Sequence, residues 1–409
     1  MTMRNLSSVS KRIFMVLQYI IFKLIGLSPW TIDVTELFNN NRRMINYNSD
    51  FLKYSIIGVV YNLLLIISLG SFHIYVLFYS NEVGFYEMFI DSVLTSRVHL
   101  VMLNLDIIIT LVIWFNYIVR QKKIIDVVER LIKLDKKLQK YDFILNDCKK
   151  NCRTYLIFFI NFVLCLFLLI IQLKKVNWSI NALIEFIPIV VMSWSMMQFT
   201  LMINLIKKRF EKVNKLLLSL GNLVETEEEL LTIDDVFSLK EPAPKKIIVG
   251  SIVHDVDEIN DMHSELCDLW SEVLNFYGIP VLLTIYQFCG KCINTSYLVW
   301  IISHIYRIYG SAIFSNLFII FGLFVMINTV TKTIIDESKK TARNIHVLQN
   351  KCIMDEKNLE KLCDFSWSLL HRQLECCVCN FINIDGTLLL TLLDMVVEYT
   401  IVLIGFRMS

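Results

Sequence analysis

The sequence predicts an all-α polytopic membrane protein with seven transmembrane helices, its N-terminus in the cytoplasm and its C-terminus outside. Three observations predict this. The 409 residues are 55% hydrophobic and 12% aromatic with a mean hydropathy of +0.55, too apolar for an ordinary soluble domain. Net charge is only +2, but the charges gather in blocks between long apolar runs, as exclusion by lipid requires. Of the 40 Lys and Arg residues, 34 precede the first run or lie in the loops 120–153, 207–246 and 332–372, which share one side if every run crosses. Basic residues in short loops are retained in the cytoplasm, so that side is inside.

A crossing needs about 20 helical residues, because each adds about 1.5 Å and hydrocarbon offers the backbone no hydrogen-bond partner. Seven runs qualify: Tyr54 to Tyr79, Met88 to Val119, Tyr155 to Leu173, Ile180 to Ile206, Val273 to Ser303, Ile308 to Thr331, and Gly386 to Phe406, the last interrupted by Asp394 and Glu398. The earlier segment Ile13 to Phe22 is too short to span and is expected at the interface or packed on the bundle. No small-residue cleavage site follows it, which argues against a signal peptide.

The organisation that follows is a cytoplasmic N-terminal segment 1–53, spans one to six over 54–331 with cytoplasmic loops 120–154 and 207–272, a cytoplasmic helical anchor 332–385, and a seventh helix with the external C-terminus over 386–409. The loops are expected to extend the spans as a cytoplasmic helical bundle. Between Lys122 and Leu145, apolar Ile124, Ile125, Val128, Leu131, Ile132, Leu134 and Leu138 recur at helical spacing. The acidic stretch 224–246, with Pro242 and Pro244, reads as a flexible connector.

The motifs exclude several classes. There is no Gly-rich phosphate loop and no Gly-x-Ser-x-Gly, and His254 and His263 among their acidic neighbours lack His-Glu-x-x-His spacing, so no enzyme and no cofactor is expected. Cys376, Cys377 and Cys379 with His371 lack the paired spacing of a zinc site, and no metal is expected; as cytoplasmic residues they read as juxtamembrane thiols, open to acylation. The Asn177 and Asn294 sequons lie too near or inside a span for glycans. An N-in chain without Asn-Pro-x-x-Tyr in its seventh run is not a G-protein-coupled receptor. A secondary transporter would show inverted repeats, and none is visible, though Gly278-Ile279-Pro280 could bend the fifth span.

Ionisable groups in spans face a bundle interior, a cavity or an ion path. Arg97 on the second span, Glu185 on the fourth, and Lys291 and Asn294 with Tyr297 and Trp300 on the fifth fall from mid-membrane to the outer rim. Aromatic walls with a few polar groups are how small-molecule pockets are built. The alternative is structural pairing, for instance Glu185 with Lys291.

Four patterns resemble those of insect gustatory receptors, relatives of the insect odorant receptors. They are the opening Leu24-Ile25-Gly26-Leu27-Ser28-Pro29, the run Gln198 to Leu217 with its Gln-Phe, Arg-Phe and Asn, the run His263 to Leu283, and the stretch Asn380 to Phe406. In the last, Tyr399 and Phe406 match the family's Thr-Tyr and Gln-Phe, while Glu398 and Gly405 replace its Thr and Gln. The resemblance implies a ligand-gated cation channel in the plasma membrane of sensory neurons, opened by an external small-molecule tastant, with no nucleic-acid partner. It implies a homotetramer, or a heteromer with related receptors, seated among membrane lipids. The seventh helices then line the pore, with Phe406, Gly405, Tyr399 and Glu398 at or near the gate. A mainly aromatic and aliphatic outer half points to bitter or plant-derived ligands rather than sugars.

Overall fold

The computed structural model describes residues 14, 16–32, 52–80, 93–141, 152–175, 180–220, 246–247, 253–301, 334–353, 356–372, 374–379, 381–384 and 386–408. The predicted sixth span, 308–331, lies outside them. Ten helices follow in chain order among the described residues: α1 (Val16–Ile25), α2 (Ile56–Ser80), α3 (Val93–Val119), α4 (Gln121–Gln139), α5 (Cys152–Lys175), α6 (Ile180–Leu220), α7 (Val253–Ile301), α8 (Asp336–Lys351), α9 (Glu356–His371) and α10 (Gly386–Met408). Three two-stranded ribbons join them. β1 (Thr31–Ile32) pairs antiparallel with β2 (Leu52–Lys53), β3 (Lys246–Ile247) parallel with β4 (Cys352–Ile353), and β5 (Cys377–Val378) antiparallel with β6 (Ile382–Asn383). The end of the expected connector is thus tied to the residues that follow α8.

Two helices are far longer than a bilayer. The 41 residues of α6 and 49 of α7 correspond to about 60 and 75 Å of helix, against a hydrocarbon core of about 30 Å. Both run unbroken through a proline, Pro188 and Pro280. Beyond the last turn of α3, α4 lies antiparallel on the extension of α7. Arg120 donates to the Asn275 carbonyl at 2.5 Å, Arg130 pairs with Glu272 at 2.6 Å, and Lys140 with Glu258 at 3.3 Å. The buried face of α4 is Ile124, Ile125, Val127, Leu131, Leu134 and Leu138, with Val128 packed against the core beside Val127, and the helix stops at Gln139.

On the other side α9 climbs parallel to α7, with Lys361 near Asp257 at 3.4 Å, Ser368 donating to Asn260 at 3.1 Å, and Trp270 donating to the Glu375 carbonyl at 3.1 Å. Between these layers His263 lies edge-on to Phe210 of α6 at 5.2 Å and to Phe365 of α9 at 5.7 Å. Asn214 holds α8 to α6 by donating to the Glu337 carbonyl at 2.9 Å and accepting from Thr341 at 2.7 Å.

At the inner end of the bundle the chain after α1 turns inward. Gly26 takes φ +83, a left-handed conformation, and an added Cβ there would fall 2.8 Å from Trp114 Nε1. Its neighbours' carbonyls are captured one after another. Leu24 accepts from Tyr61 at 2.8 Å, Ile25 from Trp114 at 2.8 Å, Gly26 from Asn62 at 2.8 Å and Leu27 from Gln198 at 3.3 Å. Leu27 is fully buried and Pro29 rests on α2 so closely that a Cβ on Gly58 would overlap its carbonyl oxygen at 1.7 Å.

Two outcomes are expected. Gly26→Ala combines left-handed strain of about 1–2 kcal/mol with a clash against Trp114, and should lower the melting temperature of detergent-solubilised protein by several degrees. His263 is buried and its pKa is lowered to about 4, first by desolvation and then by the nearby Arg372 charge. The folded imidazole therefore stays neutral while the unfolded one gains a proton below about 6.5. Its contribution is full above about pH 6.5 and is lost as pH falls toward about 4, by up to about 3 kcal/mol. Melting curves between pH 7.5 and 4.5 should show this slope flattened in His263→Phe.

Candidate functional site

Among the described residues a dense polar arrangement lies between α3 and α7. Lys291 Nζ is 2.7 Å from Asp106 Oδ2, and both side chains are largely buried. Gln287 Nε2 donates to Asp106 Oδ1 at 2.8 Å and to the Met102 carbonyl at 3.0 Å. Residues 287, 291 and 294 stand four and three apart, so they share one face of α7, and 102 and 106 share one face of α3. Gly290 allows the approach, since a Cβ there would sit 3.1 Å from Met102 Cε.

Depth follows from helix rise. Asp106 is 14 residues from Arg120 and Lys291 is 16 residues from Asn275, two residues joined at the cytoplasmic end. At about 1.5 Å per residue both routes place the pair about 21–24 Å from that boundary, in the outer third of a core of about 30 Å. A charge at that depth requires a partner or a polar cavity. Next along α7, Asn294 is buried with its Oδ1 unpaired, as is Gln287 Oε1, and Tyr297 is buried one turn further.

Of the candidates named from the sequence, Lys291, Asn294 and Tyr297 therefore lie on one stretch of α7. Arg97, Glu185 and Trp300 are on described helices, but their side chains lie outside the described residues. The described partner of Lys291 is Asp106, which sequence reasoning had passed over together with Gln287. The signal was available: Asp106 is an acid in the middle of the second apolar run.

The α10 candidates are arranged differently. Leu388 and Leu392 are buried, and Val396 and Thr400 half-buried, along the stripe that faces α7. Asp394, Glu398, Gly405 and Tyr399 are exposed, and nothing stands within 4 Å of a Cβ built on Gly405. The Phe406 side chain lies outside the described residues. Among the described residues the α10 acids thus have no cover from their own bundle. Among the described residues no group of three or more His, Cys, Asp and Glu could hold a metal ion.

Long helices that pass through the bilayer into a cytoplasmic bundle, a charge pair buried toward the outer surface and an uncovered terminal helix define a multi-pass α-helical membrane protein. The chain belongs to the 7tm chemosensory receptor family, whose profile matches residues 17–409. Its fold is that of the insect olfactory receptor OR5 from Machilis hrabei, at 11% identity and a TM-score of 0.66 over 97% of this chain and 98% of that one. The same receptor in complex with eugenol aligns with a TM-score of 0.60 at 11% identity, over 98% and 99% of the two chains. No curated protein matches the sequence significantly.

Removing one partner of a buried ion pair strands the other charge, at a cost of about 3–5 kcal/mol. Lys291→Met and Asp106→Asn should each depress the yield of monodisperse protein, whereas the double variant should recover most of it. Additive losses in that cycle would show that the two side chains are not coupled.

Proposed function

We propose that the chain is a gustatory-type, ligand-gated, non-selective cation channel in the plasma membrane of sensory neurons, opened by an external small-molecule tastant of the bitter or plant-derived kind. The observation that carries this reading is the uncovered acidic face of α10. Carboxylates such as Asp394 and Glu398 on a spanning helix are tolerated beside water, and rings of them favour cations. Repetition around an axis, in a homotetramer or a heteromer with related receptors, would turn that face into a pore wall. Exposed Leu359, Trp367 and Leu370 on α9, in the cytoplasmic part where lipid cannot cover them, support assembly with further copies.

In this reading Phe406 forms an apolar constriction that closes the pore by dewetting. Gly405 beside it lets the helices approach, Glu398 faces the conduction path, and Tyr399 supports the constriction from two turns earlier on the same face as Phe406. The ligand enters the outer half, where the buried, unpaired carbonyl of Asn294 offers an acceptor beside Lys291 and Tyr297, with Arg97, Glu185 and Trp300 on neighbouring turns. An olfactory-type channel is the second reading, favoured by the likeness to OR5.

Current recording from cells expressing the chain, against sugars, plant alkaloids and volatile phenols including eugenol, separates the two readings. Phe406→Ala should raise ligand-independent current, and Glu398→Gln should lower calcium permeability relative to sodium. A tag before Met1 should be protected in intact cells and one after Ser409 accessible; the reverse would remove the channel assignment together with the topology.

A further inference from the structure

The polar cluster between α3 and α7 leaves two acceptors open. Gln287 directs both amide hydrogens to acceptors, Asp106 Oδ1 at 2.8 Å and the Met102 carbonyl at 3.0 Å, so the orientation of its amide is fixed by its partners. Its Oε1 is buried without a partner, in a residue 1% exposed. Seven residues further along the same face of α7, Asn294 is 8% exposed and its Oδ1 is also unpaired. Trp194 Nε1 and Asn62 Oδ1 are unpaired as well, but they lie beside the captured Gly26 loop at the inner end.

The two open acceptors lie toward the outer surface. Gln287 is 12 residues and Asn294 19 residues from Asn275, which is held at the cytoplasmic end. At about 1.5 Å per residue, Gln287 stands about 18 Å and Asn294 about 28 Å into a hydrocarbon core of about 30 Å. A molecule arriving from outside therefore meets Asn294 first. Tyr297, buried one turn further out on the same helix, supplies an aromatic wall for the apolar part of such a molecule.

The charge pair between the acceptors bears on what can bind. Lys291 and Asp106 lie 2.7 Å apart and neutralise each other, so the pair offers a ligand ion no uncompensated counter-charge. An ion would also have to give up its hydration there, a loss that a neutral molecule largely avoids. Among neutral molecules, one whose polar groups are all ether or ester oxygens would leave both amide oxygens unmatched. A hydroxyl donates to them.

We propose that this stretch of α7 is a hydroxyl-selective subsite for neutral phenols and alcohols, with Asn294 Oδ1 accepting from the ligand hydroxyl. Gln287 Oε1, deeper on the same face, accepts from a second hydroxyl where the ligand carries one. The assignment rests on the ligand site proposed above for the outer half, and adds the chemical class that the site selects.

The test is ligand-dependent melting of the purified full chain in lipid nanodiscs. The probes are para-propylphenol, its methyl ether para-propylanisole, and the phenyltrimethylammonium cation. The phenol should give a saturable stabilising shift at a concentration about tenfold below that needed for the ether, since a site with a buried acceptor discriminates against a ligand lacking the donor. The cation should give none. Asn294→Leu should bring phenol and ether to within about twofold, while Asn294→Ser, which keeps an acceptor oxygen, should retain part of the preference. An ether as effective as the phenol on the wild type, no shift with the phenol, a shift with the cation, or a preference undiminished in Asn294→Leu each overturns the proposal. The comparison of phenol with ether on the wild type stands even if the variants do not fold. A saturable phenol shift with silent currents removes the channel reading alone, and currents opened equally by phenol and ether remove this proposal alone.

Discussion

The inner half of the bundle depends on one constraint: the backbone turning in at Gly26 must find donors for its carbonyls where water does not reach. A buried carbonyl left unpaired costs about as much as a lost hydrogen bond. Tyr61 and Asn62 of α2, Trp114 of α3 and Gln198 of α6 supply the donors, so three helices are fixed around one loop. Gln198 in turn accepts from Tyr117 at 2.7 Å, which carries the constraint from α6 back to α3. The Asn116 side chain donates to the Phe276 carbonyl and ties in α7. Irregular backbone at membrane depth is tolerated only where protein buries it, as here.

From that collar the structure divides into two regimes. On the cytoplasmic side the helices are held by charge pairs on partly solvated surfaces, such as Arg130 with Glu272 and Arg209 with Asp135. Each contributes little, and they fix register more than stability. Toward the outside, among the described residues, such pairs give way to Asp106 with Lys291, reinforced by Gln287. A pair there is costly to break and weakly stabilising when intact, which suits a position that sets the spacing of α3 and α7. Its place beside the unpaired oxygens of Gln287 and Asn294 puts fixed charge next to open acceptors. The terminal helix stands apart from both regimes, touching its own bundle along one stripe and leaving its other described residues exposed.

Several short patterns that looked like family labels prove to be working contacts. The Leu24–Pro29 opening is the captured loop. In the α6 run, Gln198 holds that loop, Arg209 reaches Asp135 of α4, Phe210 meets His263 and Asn214 fixes α8. His263, at the head of the third pattern, lies between α6 and α9. Each of these residues therefore bridges two elements, whereas Tyr399 and Gly405 of the fourth pattern are exposed on α10.

The sequence by itself determined the all-α membrane-spanning class and most of the helices among the described residues. Hydropathy and basic-residue placement are sums over neighbouring residues, so no knowledge of packing is needed. The long stripe of α4 and the start of α10 at Gly386 were legible for the same reason. Partners were not. Whether Lys291 meets Asp106 or an acid elsewhere depends on how α3 and α7 are rotated about their axes, and a rotation of one residue is about 100°. The same holds for Val127 joining the buried face of α4. Only the tertiary structure decided that the Gly26 turn enters the bundle and that the cysteine ribbon lies against α7 beside Gly278, because both follow from contacts between segments far apart in the chain, which local composition does not encode.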